Sequence, residues 1–236
     1  MVIKNLFGIN NNSLYHNVKL RRTKTMILGA SNNGVGAQAP AGGVINLSKG
    51  AKVNLSKEAP GLKKIMFGLG WDCNKYSGGD DFDLDASCFL VNAMGRTTAD
   101  GFIFYNNLVG PNKCVIHQGD NRTGEGEGDD EQIYIALDLI PENIDKIAIT
   151  VTIDAADQRH QNFGMVSNAY CRLVNTETDK EEIRFNLGED FSVETAVVIG
   201  EVYKHNGDWN FRAIGQGFSG GLQSLCQNYG LAAEYR

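Results

Sequence analysis

The sequence has little proline and no long apolar run, and its cysteines lack the spacing of a metal or disulfide framework. Only 4 of 236 residues are proline, and no apolar stretch approaches the roughly 18 to 20 residues of a membrane-spanning helix. The five cysteines are widely spread and contain no C-x-x-C pair, which argues against structural zinc and favours a reducing compartment. We therefore expect a cytoplasmic protein whose contact with membranes, where there is any, is peripheral.

Positive charge is also scarce, with 22 Lys and Arg against 28 Asp and Glu and a formal net charge of −6. No nucleic-acid partner is expected, because binding to phosphates requires a positive surface. Hydrophobic residues make up 42% of the chain, enough for a substantial core at this length. The composition therefore indicates one folded domain of about 200 residues and a tail.

Residues 1–43 contain no acidic residue, five basic residues by position 24, and then a stretch rich in Gly, Ala and Asn. We interpret them as a flexible tail in front of a domain that spans residues 44–236. The alternatives are a basic arm for an anionic surface, an organelle presequence, or a true start at Met26.

From Val44 onward, short segments rich in Val, Ile, Phe and Tyr alternate with clusters of Gly, Asn and Asp, which is typical of all-β proteins. The pattern predicts a two-sheet β-sandwich with a short C-terminal helix at about 219–233. The motif Asn-Leu-Ser-Lys, repeated at 46–49 and 54–57, predicts a β-hairpin turning at Lys49 and Gly50. The other expected strands are 62–69, 84–92, 101–106, 113–117, 132–138, 146–153, 166–174, 181–187, 195–204 and 209–214.

Negative charge is concentrated in two segments, since residues 72–85 and 120–131 hold eleven of the 28 acidic residues. In an extended stretch Asp81, Asp83 and Asp85 share one face, while their apolar neighbours occupy the other. Like charges gathered on one face destabilise one another, and a bound cation reverses that effect.

The segment 124–129 alternates Gly with acidic residues, and Gly allows the tight wrapping that turns carboxylates and carbonyls inward. Calcium takes six to eight oxygen ligands in tolerant geometry, so the sequence predicts Ca²⁺ as the cofactor. The loop is not an EF-hand, because Arg122 occupies its third position and Glu125 its sixth, where Gly is required.

The sequence offers no recognisable catalytic motif. None of the four histidines lies in a G-x-S-x-G or H-E-x-x-H setting, and His117 is interpreted as a structural residue. Cys88 and Cys171 interrupt apolar strands, so we expect buried thiols in place of reactive ones. We predict that the protein is not an enzyme.

The chain contains the motifs GLGWD (68–72), FDLDAS (82–87), GDNRTGEGEGDDE (119–131), QNFG (161–164), and GQGF (215–218) with GGL (220–222). Together they resemble the TerD family of tellurium-resistance and general stress proteins over about 44–230. The resemblance implies a cytoplasmic, calcium-binding β-sandwich without a known catalytic reaction, and some relatives are described as cAMP-binding proteins.

The resemblance, combined with the shared face of the first acidic segment, defines the candidate metal ligands. They are Asp72, Asp81, Asp83, Asp85, Asp120, Asn121, Glu125, Glu127, Asp129, Asp130 and Glu131. We expect a stress-response protein in which calcium orders the acidic loops and forms a surface for protein partners of a stress-response complex. The alternatives are a calcium-dependent membrane-surface module and a module that binds a cyclic nucleotide or another anion.

Overall fold

A computed structural model describes residues 45–46, 49–74, 79–187 and 191–231, so the predicted tail, residues 1–43, lies outside the described part of the chain. Within that part, two six-stranded sheets are formed. In chain order, the strands are β1 Ile45–Asn46, β2 Lys52–Asn54, β3 Lys64–Gly70, β4 Leu84–Val91, β5 Phe102–Ile103, β6 Val115–His117, β7 Glu131–Ala136, β8 Lys146–Ile153, β9 Tyr170–Asn175, β10 Lys180–Asn186, β11 Ala196–His205 and β12 Asp208–Phe218.

The first sheet has the order β1-β10-β9-β3-β7-β6, and the second has the order β2-β12-β11-β8-β4-β5. The pairings are antiparallel except for the short parallel contact of β1 with β10. Alternate residues such as Ile147, Ile149 and Val151 on β8 are fully buried in the core cluster to which both sheets contribute. The predicted β-sandwich is confirmed.

Three α-helices lie within the described residues: α1 Leu55–Glu58, α2 Ala156–Arg159 and α3 Gly221–Asn228. Four 3₁₀ turns accompany them, at Ala99–Gly101, Pro111–Lys113, Leu137–Leu139 and Phe163–Met165. None of the described helices has both the length and the apolar character needed to cross a bilayer.

Helix α3 covers the outer face of the second sheet. Leu225 and Tyr229 pack into a second apolar cluster, and the Phe89 ring stacks on Tyr229 at a centroid distance of 4.6 Å. The helix is shorter than predicted because Gly230, at φ +80°, follows it and ends the helical hydrogen bonding.

The predicted hairpin over 46–58 is wrong. Its first half, β1, pairs with β10 in the first sheet, whereas its second half, β2, pairs with β12 in the second. Gly50, at φ +84°, donates its amide to Ala213 O (3.0 Å), so the turn carries the chain from one sheet to the other. Each copy of the motif therefore begins at the last residue of an edge strand, and the two strands do not pair with each other.

One end of the sandwich collects the acidic segments. Strand β3 leads into residues 71–83, its neighbour β7 begins directly after residues 118–130, and β8 leads into residues 154–169. The amide of Asp154 donates to Asp83 O (2.8 Å), which joins two of these segments. We call residues 71–74, 79–83, 118–130 and 154–169 the acidic end.

Candidate metal centre

The antiparallel pairing of β3 with β7 brings the two acid-rich segments together. Leu69 lies opposite Glu131 in the register, and the amide of Asp130 donates to Leu69 O at 2.7 Å. Trp71 strengthens the junction, because its indole Nε1 donates to Phe82 O at 2.9 Å. Carboxylates from residues 72–85 and 120–131 can therefore reach one site.

Three carboxylates converge at the acidic end, from Asp83, Asp85 and Asp120. Their ligand oxygens all lie within 4.8 Å of one another, and no other group of three His, Cys, Asp or Glu meets that criterion among the described residues. Asp83 and Asp85 are buried, whereas Asp120 is exposed and closes the group from the solvent side. Two oxygens bound to one calcium ion at about 2.4 Å are at most about 4.8 Å apart, so the spacing permits a shared ion.

The Asp83 carboxylate is only half satisfied. Its Oδ2 lies 3.4 Å from Arg122 Nε and 4.0 Å from Arg159 Nη1, while its Oδ1 is buried with no hydrogen-bond partner among the described residues. Burial raises the pKa of Asp83, the hydrogen bond from Arg122 lowers it, and the charges of Asp154 and Asp120 raise it further, with a net rise. An oxygen in this state is available to a cation.

Asp85 has the most perturbed carboxyl of the three. Burial, followed by the charge of Glu131 and then of Asp83, raises its pKa to about 9. Its side chain lies on the outer face of β4, because Leu84 and Ala86 on either side belong to the core. Without a cation, such a group holds a proton near neutral pH.

Glu131 and His117 complete the open edge of β4. The amide of Ala86 donates to Glu131 Oε2 at 2.7 Å, and His117 Nε2 lies 3.0 Å from Ala86 O. Since His117 Nδ1 accepts from the Gly119 amide (3.1 Å), its Nε2 carries the hydrogen and donates to that carbonyl. Glu131 and His117 thus bond to Ala86 as a neighbouring strand would. Glu131 Oε1 also accepts from the Asn121 amide at 3.2 Å, so both carboxylate oxygens are occupied.

Asp129 is held by a different partner. Its fully buried carboxylate receives two hydrogen bonds from Arg172, at 2.7 and 2.9 Å, and one from Tyr170 Oη at 3.1 Å. Gly68 leaves the room for it, since a Cβ at that position would overlap the Asp129 carboxylate. The structure therefore places Asp129 in an ion pair outside the three-carboxylate group.

Asn121 and Asp130 shape the second acidic segment. Asn121 Oδ1 accepts from the amides of Thr123 (3.2 Å) and Gly124 (3.1 Å), and its Nδ2 donates to Asp130 Oδ1 (3.1 Å). Asp130 Oδ2 accepts from the Trp71 amide at 2.9 Å. Burial raises the pKa of Asp130, and the Trp71 amide partly opposes that rise. Both residues act on the loop conformation.

Four further predicted ligands lie outside the group of three. Asp72 accepts a hydrogen bond from Asn168 Nδ2 (2.8 Å), and the side chains of Asp81, Glu125 and Glu127 are exposed. Asp81 lines an open cleft of about 380 Å³ together with Asp83 and Arg122. These residues contribute negative charge around the centre.

The arginines that pair with Asp83 and Asp129 could not be predicted from the sequence. Arg122, Arg159 and Arg172 lie 39 to 76 positions from those carboxylates, so only the tertiary fold brings them close. The one usable signal is the excess of acid itself, which requires compensation from elsewhere in the chain.

The thiols are poorly placed for chemistry. Cys88, Cys114, Cys171 and Cys226 are buried, and burial raises the pKa of Cys114 and of Cys226 to about 11. Cys73 is half-buried and donates to Gly124 O at 3.2 Å. Thiolate is the reactive form, so packing is the better account of the four buried cysteines.

Residues 44–229 match the sequence model of the TerD domain. The chain belongs to the TerD family. It is 62% identical over 188 residues to the uncharacterized protein YceE of Bacillus subtilis (strain 168), covering 79% of this chain and 98% of that one. It is 56% identical over 188 residues to general stress protein 16U of the same organism, covering 79% of this chain and 97% of that one.

A third relative is the tellurium resistance protein TerD of Serratia marcescens, 53% identical over 190 residues, with coverage of 80% of this chain and 98% of that one. The resemblance inferred from the motifs is therefore confirmed. Among solved structures, a homologue of the telluride resistance protein TerD from Streptomyces coelicolor A3(2) has a TM-score of 0.60 at 23% identity, covering 70% of this chain and 95% of that one. This match supports the TerD fold alone.

Proposed function

We propose that the protein is a non-catalytic, calcium-binding member of the tellurium-resistance and stress-response family, acting in the cytoplasm. The ion is held by Asp83, Asp85 and Asp120. The observation that carries the proposal is the buried, unpartnered Asp83 Oδ1 within a group of three carboxylates whose oxygens lie within 4.8 Å of one another. A cation would satisfy that oxygen and offset the repulsion between the three charges.

The donor set favours calcium over other divalent ions. All three side chains offer carboxylate oxygens, which suit hard cations, and neither a thiolate nor an imidazole belongs to the group. The exposed position of Asp120 leaves room for water or loop carbonyls in the remaining coordination positions. Magnesium demands a near-octahedral shell and gives up its waters reluctantly, so it fits this open group less well.

The proposed ligands come from both sheets, which suggests a structural role for the ion. Asp83 directly precedes β4 of the second sheet and Asp85 lies within it, whereas Asp120 lies on the loop that leads to β7 in the first sheet. One ion would therefore tie the two sheets together at the acidic end and order both acidic segments. We propose that the ordered segments form a surface for protein partners of a stress-response complex, with Asp81, Glu125 and Glu127 exposed on it.

Thermal unfolding with calcium and with a chelator tests the proposal. If calcium binds only the folded state, free calcium at 100 times Kd adds about 2.7 kcal/mol to the free energy of unfolding. We expect Asp83→Asn and Asp85→Asn to abolish the calcium-dependent rise in Tm, and the matched control Glu127→Gln, an exposed acid of the second segment, to keep it. No rise for the unaltered chain at millimolar calcium would overturn the proposal.

A second candidate, calcium-dependent contact with an anionic lipid surface, is favoured by two exposed apolar side chains. Met165 is 43% exposed and Val193 is 69% exposed, and the backbones of their neighbours Gly164 and Ser192 pack closely together. Gln161, on the same segment as Met165, donates to the carbonyls of Asp80 and Asp81 (3.1 and 3.2 Å). The exposed side chains of Met165 and Val193 therefore lie at the acidic end.

Sedimentation with phosphatidylserine-containing vesicles decides this candidate. Calcium-dependent pelleting that is lost in the double variant Met165→Ser, Val193→Ser would support it. Met94→Ser is the matched control, because Met94 is 81% exposed in the turn after β4, at the opposite end of that strand. If the protein stays in the supernatant with calcium, the lipid role is excluded and the partner-surface role is favoured.

A further inference from the structure

A second cleft, of about 410 Å³, opens beside the metal centre, between residues 154–158 and the start of α3. Asp85 and Thr152 form its floor, facing each other as register partners on β4 and β8. The volume lies in the usual range for sites that hold a small organic molecule.

Thr152 carries an unusual defect for a buried residue. It is only 1% exposed, yet its hydroxyl has no hydrogen-bond partner among the described residues. Thr150, two positions earlier on the same face of β8, has the hydrogen bond that a buried hydroxyl normally makes, because its Oγ1 lies 2.7 Å from Ser87 Oγ. Burying an unpaired hydroxyl is unfavourable, so the Thr152 hydroxyl at the floor of a cleft indicates a missing partner.

One wall of the cleft is the N-terminus of the eight-residue helix α3. The first amides of a helix have no carbonyl partner within it. The amides of Gly220 and Gly221 donate to Thr195 Oγ1 (3.2 and 3.1 Å), and those of Leu222 and Gln223 have no acceptor in the described part of the chain. A Cβ added at Gly221 would meet no atom within 4 Å, so this wall is open. The wall therefore offers donors and the positive end of a helix.

A second wall of the cleft, formed by residues 154–158, is acidic. Asp154 and Asp157 line it, and of the two only Asp154 has a cationic partner among the described residues, Arg159 Nη2 at 3.2 Å. A simple anion would be repelled by this wall, and a simple amine would leave the helix amides unused. A molecule that carries both charges matches both walls.

We propose that this cleft binds a small zwitterion, a molecule with a protonated amine and a carboxylate. The amine contacts Asp154 and Asp157, the carboxylate accepts from the amides of Leu222 and Gln223, and the Thr152 hydroxyl bonds to the ligand between them. The inference goes beyond the proposed calcium role and requires no ion in the cleft.

Calorimetric titration of the full chain with a length series tests the proposal. The probes are glycine, β-alanine, 4-aminobutanoate and 6-aminohexanoate, each in calcium and in EGTA. We expect one length to bind with Kd below about 1 mM. Butylamine and butanoate, which lack one of the two charges, should bind at least about tenfold more weakly than that probe. Binding that persists in EGTA separates this result from the outcome of the calcium test.

Variants then locate the bound probe. Thr152→Val keeps the shape and removes the hydroxyl, so we expect affinity to fall while Tm without ligand stays the same or rises. Gln223→Pro removes one amide donor in the first helical turn, where the amide has no intrahelical bond to lose, and Gln223→Ala is its control because it keeps the amide. Asp157→Asn should weaken binding about tenfold, whereas Asp138→Asn, an exposed acid that does not line the cleft, should not.

Three results would overturn the proposal. The first is that no member of the series binds at 10 mM, a concentration about tenfold above the expected Kd. The second is that butylamine binds as tightly as the best zwitterion. The third is that Thr152→Val leaves the affinity unchanged while its Tm shows an intact fold.

Discussion

The Glu131 carboxylate accepts the amide hydrogen of Ala86 through Oε2 at 2.7 Å and that of Asn121 through Oε1 at 3.2 Å. It therefore joins the open edge of β4 to the loop that carries Asp120. Glu131 is 2% exposed and its bond to the Ala86 amide is buried, so this amide cannot exchange its partner for water without opening the structure.

Replacing Glu131 with Gln should destabilise the protein. Gln has one acceptor oxygen in place of two, so one of the two backbone amides loses its hydrogen-bond acceptor. We expect the free energy of unfolding in urea to fall by about 1–3 kcal/mol, the cost of leaving one buried donor unpaired. Glu127→Gln, on an exposed side chain of the same segment, is the control. Equal stability of the two variants would contradict the role of Glu131.

Asp85 should make the stability of the calcium-free protein depend on pH. Its folded pKa of about 9 lies above the ordinary value of 3.8, so the folded state holds a proton that the unfolded state releases. This contribution is complete below about pH 4 and is lost as pH rises towards 9. In EGTA we expect the free energy of unfolding to fall between pH 5 and about 8.5.

Asp85→Asn removes that titration and should flatten the profile over the same range. Calcium should flatten it as well, because the bound ion displaces the proton from Asp85. Urea unfolding at several pH values, with EGTA and with calcium, measures both effects. A rise of stability with pH in EGTA that Asp85→Asn leaves unchanged would show that Asp85 is not protonated.

Replacing Arg172 should lower the free energy of unfolding and leave calcium binding unchanged. Arg172→Met leaves the buried Asp129 carboxylate without its cation, and we expect a loss of about 3 kcal/mol in the free energy of unfolding. The double variant Asp129→Asn, Arg172→Met should be more stable than Arg172→Met alone, because no buried charge remains unpaired. If Arg172→Met abolished calcium binding in a folded protein, Asp129 would belong to the metal centre.

Arg122 competes with the ion for Asp83. Its guanidinium lies 3.4 Å from Asp83 Oδ2 on a side chain that is 69% exposed, so the interaction is weak. Arg122→Gln should tighten calcium binding about two- to fivefold, the size of an exposed ion pair. Arg96→Gln, an exposed arginine in the turn after β4, is the control for net charge. Weaker calcium binding by Arg122→Gln would show that Arg122 supports the site.

The short segments rich in Val, Ile, Phe and Tyr were sufficient to predict the approximate positions of the strands, and the alternation of side chains along an extended chain predicted the shared face of Asp83 and Asp85. It placed Asp81 on that face too, but the side chain of Asp81 is exposed and Asp81 lies three residues before β4. Asp83 directly precedes the strand, and the amide of Asp154 extends the pairing to its carbonyl. A periodicity argument holds only where the backbone is extended and paired, and the sequence does not mark where pairing begins.

Other features depend on contacts between distant parts of the chain. The two Asn-Leu-Ser-Lys segments look like a local hairpin, yet each finds its partner more than 130 residues further on, in a different sheet. The pairing of Asp129 with Arg172 is of the same kind, as is the cleft that Thr152 lines together with the start of α3. Local patterns predict which elements form, whereas the specific partners follow from the packing of the whole domain.

A crystal structure of the full chain grown with calcium tests the central claim most directly. We expect an ion within about 2.3–2.6 Å of carboxylate oxygens from Asp83, Asp85 and Asp120, with Arg122 moved away from Asp83. An ion bound instead among Glu125 and Glu127, or no ion at saturating calcium, would contradict the account.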